Sequence, residues 1–338
     1  ESNNTSAITV ALKTADVAAP TGLKASDNAN APVVLNWEAP EWAYTTVTED
    51  FESYAAWDTT FGVWSTIDAD KGYAGKLSQN VRLPHEGEQY AFLNWQPSDY
   101  FQPGTGIDPH SGKKAAVAIY QYDESGRDFV AADNYLITPR LSGRRQTITF
   151  YVNNVRNTSG TSEESFEVMT STTGKTMEDF RKLGDDYLQS DGNWTEISVE
   201  VPEGTSYLAI HHNTEAQKAL LFMIDDITFE PSLAPESYNI YRDGGFLANV
   251  TGTSYTDKEL LSDGQHKYEV TAVYADGSES VPVGIVILTD IIAIDATQPG
   301  DFNVYRLDGS CVFLHAKSMD GLRPGVYIVN GQKTLIRR

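Results

Sequence analysis

Leu221-Phe222-Met223-Ile224-Asp225-Asp226-Ile227-Thr228-Phe229 decides how the chain is read. Its apolar and polar residues alternate, with β-branched and aromatic side chains prominent, which is the period of a half-buried strand. Alternation puts Met223, Asp225, Ile227 and Phe229 on one face and Ile224, Asp226 and Thr228 on the other. Ile227 and Phe229 mark the first face as core, so Asp225 enters an apolar layer. A carboxylate there is costly unless it is paired or metal-bound.

The same period recurs outward in residues 147–152, 166–169, 195–201, 208–212 and 267–273. Gly (26) and Pro (14) punctuate these segments, and Asp243-Gly244-Gly245 and Asp276-Gly277 supply tight turns. Only residues 176–188 suggest helix: Thr176 and Asp179 fit a capping box, and Phe180, Leu183 and Leu188 give a weak apolar stripe. One or two helical turns are expected there. The fold class is all-β, built from sandwiches.

Composition narrows function. The 338 residues suffice for two or three domains, and 40% hydrophobic content supports buried cores. A net charge of −22 argues against nucleic acid and anionic membrane surfaces as partners. A single cysteine, Cys311, rules out a disulfide framework and reads as a buried structural thiol. No apolar run is long enough to span a bilayer. Glu1-Ser2-Asn3-Asn4 carries no leader, and the later motifs favour export with the leader already removed. No nucleophile elbow, His-Glu-x-x-His or phosphate loop is present. Adjacent His211 and His212 project to opposite faces of a strand, one packed and one solvated. The chain reads as a non-enzyme. Abundant carboxylates leave a stand-alone jelly-roll hydrolase as the weakest of the readings.

Organisation is discontinuous. Residues 20–42 begin a small sandwich, with Pro20-Thr21-Gly22-Leu23 and then Val33-Val34-Leu35-Asn36-Trp37. Residues 235–284 supply its missing strands, among them Tyr238-Asn239-Ile240-Tyr241-Arg242-Asp243-Gly244. The joined pieces resemble a fibronectin type III domain, with residues 43–234 inserted, an arrangement loop entropy tolerates. The alternative is two incomplete sandwiches with unpaired edges. Residues 1–19 read as a strand, Ile8 to Lys13, followed by a linker.

Within the insert, Trp64-Ser65-Thr66-Ile67-Asp68-Ala69-Asp70-Lys71-Gly72 and Asp133-Asn134-Tyr135-Leu136-Ile137-Thr138-Pro139 carry a more specific likeness. With the closing strand, they resemble the cleaved adhesin family, the jelly-roll modules of gingipain and haemagglutinin adhesins from Bacteroidetes. Residues 285–338 form a third block, with six Lys or Arg against five Asp. Its ending, Gly325-Val326-Tyr327-Ile328-Val329-Asn330-Gly331-Gln332-Lys333, resembles a type IX secretion C-terminal sorting domain, the alternative being another small sheet.

Calcium is the expected ion. Glu49, Asp50 and Glu52 open the domain that Asp225 closes, and first and last jelly-roll strands lie close. Carboxylates with backbone carbonyls would satisfy calcium's six to eight oxygens. Asp68 and Asp70, two residues apart before Gly72, form a second candidate loop. The adhesin resemblance implies structural calcium too. For ligand binding, Trp95, Tyr100 and Phe101 make an aromatic-rich segment, while Trp37 and Trp194 read as core. Two functions follow: a secreted or cell-surface adhesin recognising a glycan or extracellular protein, or an ancillary spacer of a larger secreted peptidase or glycoside hydrolase.

Overall fold

The computed structural model describes residues 17–26, 32–155, 163–259, 261, 265–288, 291–295 and 300–337. The expected strand from Ile8 to Lys13 lies outside them. The chain divides into two compact units. One comprises Glu1–Trp42 with Ala234–Arg338, the other Ala43–Leu233.

The central unit is an antiparallel jelly-roll sandwich. One sheet has five strands in the order Arg181–Gln189, Glu164–Ser171, Tyr207–His212, Asn134–Ile137 and Ser65–Asp68. The other runs Thr195–Val201, Gln146–Asn154, Leu221–Phe229, Ala115–Ile119 and Leu93–Trp95, with Val47–Glu49 also pairing on Leu221–Phe229. First and last strands meet there, with Glu49 opposite Ile227.

Alternation explains the layer between the sheets. Ile148, Phe150 and Val152 point inward from one strand, Phe166 and Val168 from another, and Leu208 and Ile210 from a third. Phe222, Ile224, Ile227 and Phe229 complete this core. Each such side chain contributes roughly 1.5–3 kcal/mol on burial. A second apolar layer covers the outer face of the sheet that holds Leu221–Phe229. Trp57, Leu83, Tyr90, Leu93, Trp95, Val117, Leu221 and Met223 pack there beneath loops. Leu93, Asn94 and Trp95 are therefore buried on both faces.

Residues 176–188 hold no helix of the expected kind. Thr176 and Asp179 do make a reciprocal capping box, but it closes only a 3-10 turn, Met177–Asp179. The chain then enters the nine-residue strand Arg181–Gln189. Pairing with Glu164–Ser171 outweighs the local cap, and Phe180 is buried while Leu188 is 62% exposed.

The other unit carries two sheets around Val33, Leu35, Trp37, Tyr238, Ile240, Tyr268 and Val270. A three-stranded sheet orders Thr21–Ala25, Val33–Glu38 and Ser254–Asp257, with Ser254 opposite Asn36. A four-stranded sheet orders Gly245–Val250, Ser237–Arg242, Gln265–Val273 and Val283–Leu288. The last block is a five-stranded sheet in which Ile291–Asp295 runs parallel to Gln332–Arg337. Phe302, Val304, Met319, Leu322, Val329 and Ile336 form its core. Cys311, expected to be a buried thiol, is exposed on its edge strand Cys311–Ala316.

Candidate functional site

The strand Leu221–Phe229 is not regular. Against Gln146–Asn154, Thr228 lies opposite Thr149 but Asp225 lies opposite Tyr151. Three steps on one strand face two on its partner, which is a β-bulge. Asp226 takes φ of 47°, a left-handed conformation that Asp tolerates better than most residues. The bulge inverts the alternation, so Phe222 and Ile224 share one core with Ile227 and Phe229. Asp225 therefore does not share a face with Ile227 and Phe229, as simple alternation predicts. It follows Leu221 and Met223 onto the outer side.

Asp225 is nevertheless fully buried. Its Oδ1 accepts the Asp226 N–H at 2.8 Å and its Oδ2 accepts the Ser111 N–H at 3.1 Å. Burial pushes its carboxyl up to about 8. Asp226 beside it accepts from the Ser111 hydroxyl at 2.8 Å and meets His110 Nδ1 at 2.6 Å. His110 stacks on Tyr151 with ring centroids 3.6 Å apart.

Glu52 holds the other end of the same loop. Its Oε1 accepts the N–H groups of Lys113 at 2.5 Å and Lys114 at 2.7 Å. Gly112 takes φ of +58°, and a Cβ there would collide with the Glu52 carboxylate. Residues 110–114 thus wrap between two carboxylates, Asp225 and Glu52. The other expected partners are not gathered with them. Glu49 Oε1 accepts the Phe51 N–H at 2.9 Å, and its Oε2 accepts Tyr54 Oη–H at 2.7 Å and Trp64 Nε1–H at 2.9 Å. Both oxygens are committed to an aromatic corner. Asp50 accepts the Glu52 N–H at 3.2 Å in an exposed turn. Among the described residues, no three of His, Cys, Asp and Glu are grouped to hold a metal ion.

The Asp68–Gly72 loop has a different character. Asp68 accepts the Lys71 N–H at 2.9 Å, and burial raises its carboxyl above the usual range. Asp70 Oδ1 accepts the Gly72 N–H at 2.8 Å, and its Oδ2 accepts the Asp133 N–H at 2.8 Å and Asn134 Nδ2–H at 3.0 Å. Two buried amide oxygens nearby, Asn134 Oδ1 and Gln121 Oε1, have no hydrogen-bond partner. Gln121 lies where a Cβ on Gly72 would clash. Sequence spacing found the two aspartates; the amide oxygens come from distant strands and carried no local signal.

The aromatic segment is mostly interior. Trp95 is 0% exposed, its Nε1–H donates to the Ile107 carbonyl at 2.9 Å, and Phe101 stacks on it. Trp95 is thus a core residue and not a ligand platform. Tyr100, at 41% exposure, reaches solvent with its ring edge-on to Trp57, and Phe101 is half-buried. Trp194, expected in the core, is half-buried against His110. His211 and His212 are both packed. His211 sits between Asp133 (2.7 Å) and Glu167 (2.8 Å), and His212 meets buried Glu164 at 2.8 Å. A solvent-facing aromatic group lies elsewhere, at Tyr120, Tyr122 and Phe129.

A family model described as Cleaved Adhesin Domain matches residues 47–229. Lys-gingipain W83 of Porphyromonas gingivalis is 26% identical over 287 residues, covering 79% of this chain and 15% of the relative. Hemagglutinin A of Porphyromonas gingivalis (strain ATCC BAA-308 / W83) is 27% identical over 290 residues, covering 79% of this chain and 12% of the relative. The solved K1 cleaved adhesin domain of Lys-gingipain is similar with a TM-score of 0.41 and 21% identity, covering 56% of this chain and 99% of that one. The chain thus spans only a small part of the length of these curated relatives.

Proposed function

The chain belongs to the cleaved adhesin domain family, and from that premise we propose that it is a secreted or cell-surface binding module, non-catalytic and stabilised by calcium, that recognises a glycan or an extracellular protein. The observation that carries the reading is the family match across the whole jelly roll, residues 47–229. The relatives supply the class of partner, an adhesin's, and extracellular placement suits the acidic surface of a chain with net charge −22.

Calcium rests on the residues themselves. Asp225 is fully buried, its oxygens accept backbone N–H groups, and among the described residues no cation pairs with it. Such a carboxylate is held ionised most readily by an ion. Glu52 reaches the same loop, and an all-oxygen donor set suits a hard cation. We assign Glu52 and Asp225, completed by backbone carbonyls, as the first set. Asp68 and Asp70 with the amide oxygens of Asn134 and Gln121 form the second. Bound calcium would neutralise these carboxylates and tie the loops to the sheets.

The three-on-four strand arrangement of residues 20–42 with 235–284 supports a fibronectin type III-like reading, and the net-basic C-terminal block a sorting-domain reading. A second functional reading, an ancillary spacer of a larger secreted peptidase or glycoside hydrolase, is favoured by one observation: the chain covers only 15% of Lys-gingipain W83. A glycan array combined with capture from mucus and plasma proteins decides between them. Reproducible, saturable capture supports the binding module. Silence on both from a folded protein supports the spacer.

A further inference from the structure

Three short strands, Tyr73–Ala74, Gln121–Tyr122 and Phe129–Val130, form a small antiparallel sheet within the jelly-roll unit. Its register sets Tyr122 between Tyr73 and Phe129. Tyr120, two residues before Tyr122, shares that face. The rings meet: Tyr122 to Phe129 at 4.7 Å, Tyr120 to Tyr122 at 5.5 Å, and Tyr120 to Phe129 at 5.8 Å between centroids. Phe129 is 38% exposed, and the three tyrosines are half-buried. Gly75 lies against the Tyr120 ring, where any Cβ would collide with it, so glycine lets the ring lie flat on the backbone. Polar groups border the rings. Tyr120 Oη–H donates to the Lys76 carbonyl at 2.8 Å, and Lys76 Nζ faces Glu86 at 3.9 Å.

Resting on the reading of the jelly roll as an adhesin-like binding module, we propose that the Tyr120–Tyr122–Phe129 face is its ligand platform and that the ligand is an uncharged glycan. Size favours a sugar over a protein. Phe and Tyr bury about 150–250 Å² each, so at these exposures the patch offers on the order of 200 Å². A stable protein partner needs about 800 Å² from each side. A sugar ring presents an apolar C–H face to an aromatic ring and hydroxyls to bordering carbonyls and carboxylates. Charge selects among glycans. The hairpin joining Tyr122 to Phe129 carries Asp123, Glu124 and Asp128 against a single Arg127. That acidic rim repels sialylated and sulfated chains.

The test titrates the full chain with cellohexaose, α-mannohexaose and lacto-N-neotetraose, using sialylated lacto-N-neotetraose as the anionic control. Calorimetry gives affinity, and NMR follows the ring protons of Tyr122 and Phe129. At least one neutral probe should bind and shift those signals. Phe129→Ala and Tyr122→Ala should each weaken it about tenfold, the upper range for loss of one ring contact. Phe129→Trp should retain binding, which separates loss of a stacking face from loss of fold. Leu188→Ala, at 62% exposure on another strand, should change nothing. Unaltered affinity in folded Phe129→Ala overturns the assignment. So does binding confined to anionic glycans or to proteins, and in both cases the adhesin reading stands. A chain that captures neither glycan nor protein removes both.

Discussion

Asp225→Asn separates the two roles assigned to one carboxylate. Without a cation, burial lifts this group from 3.8 to about 8 in the folded protein. The unfolded chain leaves it near the ordinary aspartate value, about 3.9. A raised folded pKa means the native state holds its proton more tightly, so stability falls as pH rises from about 4 to about 8. At about 1.36 kcal/mol per pH unit, the passage from pH 5 to pH 8 costs about 4 kcal/mol. For a unit the size of this jelly roll, that is roughly 8–16 °C in melting midpoint. Bound calcium compensates the charge, so the midpoint with the ion should move little over the same range. Asparagine cannot ionise, but one of the two backbone N–H groups then faces an amide in place of a carboxylate, at about 1–3 kcal/mol. The whole rise from about pH 4 to pH 8 costs the parent about 5 kcal/mol, so in chelator at pH 8 Asp225→Asn should be more stable than the parent by about 2–4 kcal/mol. It should also lose the calcium-induced rise in midpoint. Calorimetric melts of both proteins at pH 5 and pH 8, with chelator and with calcium, supply every comparison, and the difference between variants cancels other titrating groups. Equal chelated midpoints at the two pH values, or a calcium-induced rise that survives in Asp225→Asn, would refute the reasoning.

Gly72→Ala drives a methyl into buried Gln121, which itself donates to the Tyr90 carbonyl, and overpacking of this kind costs about 1–3 kcal/mol in chemical denaturation. Glu164→Gln should cost more, about 3–5 kcal/mol, because the carboxylate accepts the Leu220 and Leu221 N–H groups and meets His212 at full burial. Trp95→Ala should lower stability by about 3–5 kcal/mol while leaving the ligand affinity of the folded fraction unchanged; a selective loss of binding would return Trp95 to the ligand site.

The strands of the jelly roll were legible because alternation is a local property. Ile148, Phe150 and Val152 announce their face within five residues, whatever the rest of the chain does. Two other kinds of information are not local. The first is an irregularity in count. Nothing in Ile224-Asp225-Asp226-Ile227 signals an extra residue, because the left-handed position is filled by Asp226 and not by a glycine. Alternation carried through that point gives Asp225 its burial but the wrong side. The second is cover from a distance. Trp95 reads as part of an aromatic ligand-binding segment, yet Trp57 and Phe101 close over it, and Asn94 Nδ2–H donates to the carbonyls of Phe51, Tyr54 and Ala55. Conversely, Phe129 joins Tyr122 only once the hairpin register is known.

The candidate site shows why these two failures coincide. A bulge turns Asp225 away from the inter-sheet core, and the outer layer of loops then buries it. The same layer brings Ser111 to Asp225 and Lys113 and Lys114 to Glu52. Had the strand stayed regular, Asp225 would face Phe150 and Phe166 with no loop in reach, and a carboxylate there would have to stay protonated. The irregularity therefore moves Asp225 from a layer of hydrocarbon to one where the Ser111 and Asp226 N–H groups reach its carboxyl oxygens. The proposed site draws on residues 52, 111–114 and 225, and no window along the chain contains them together.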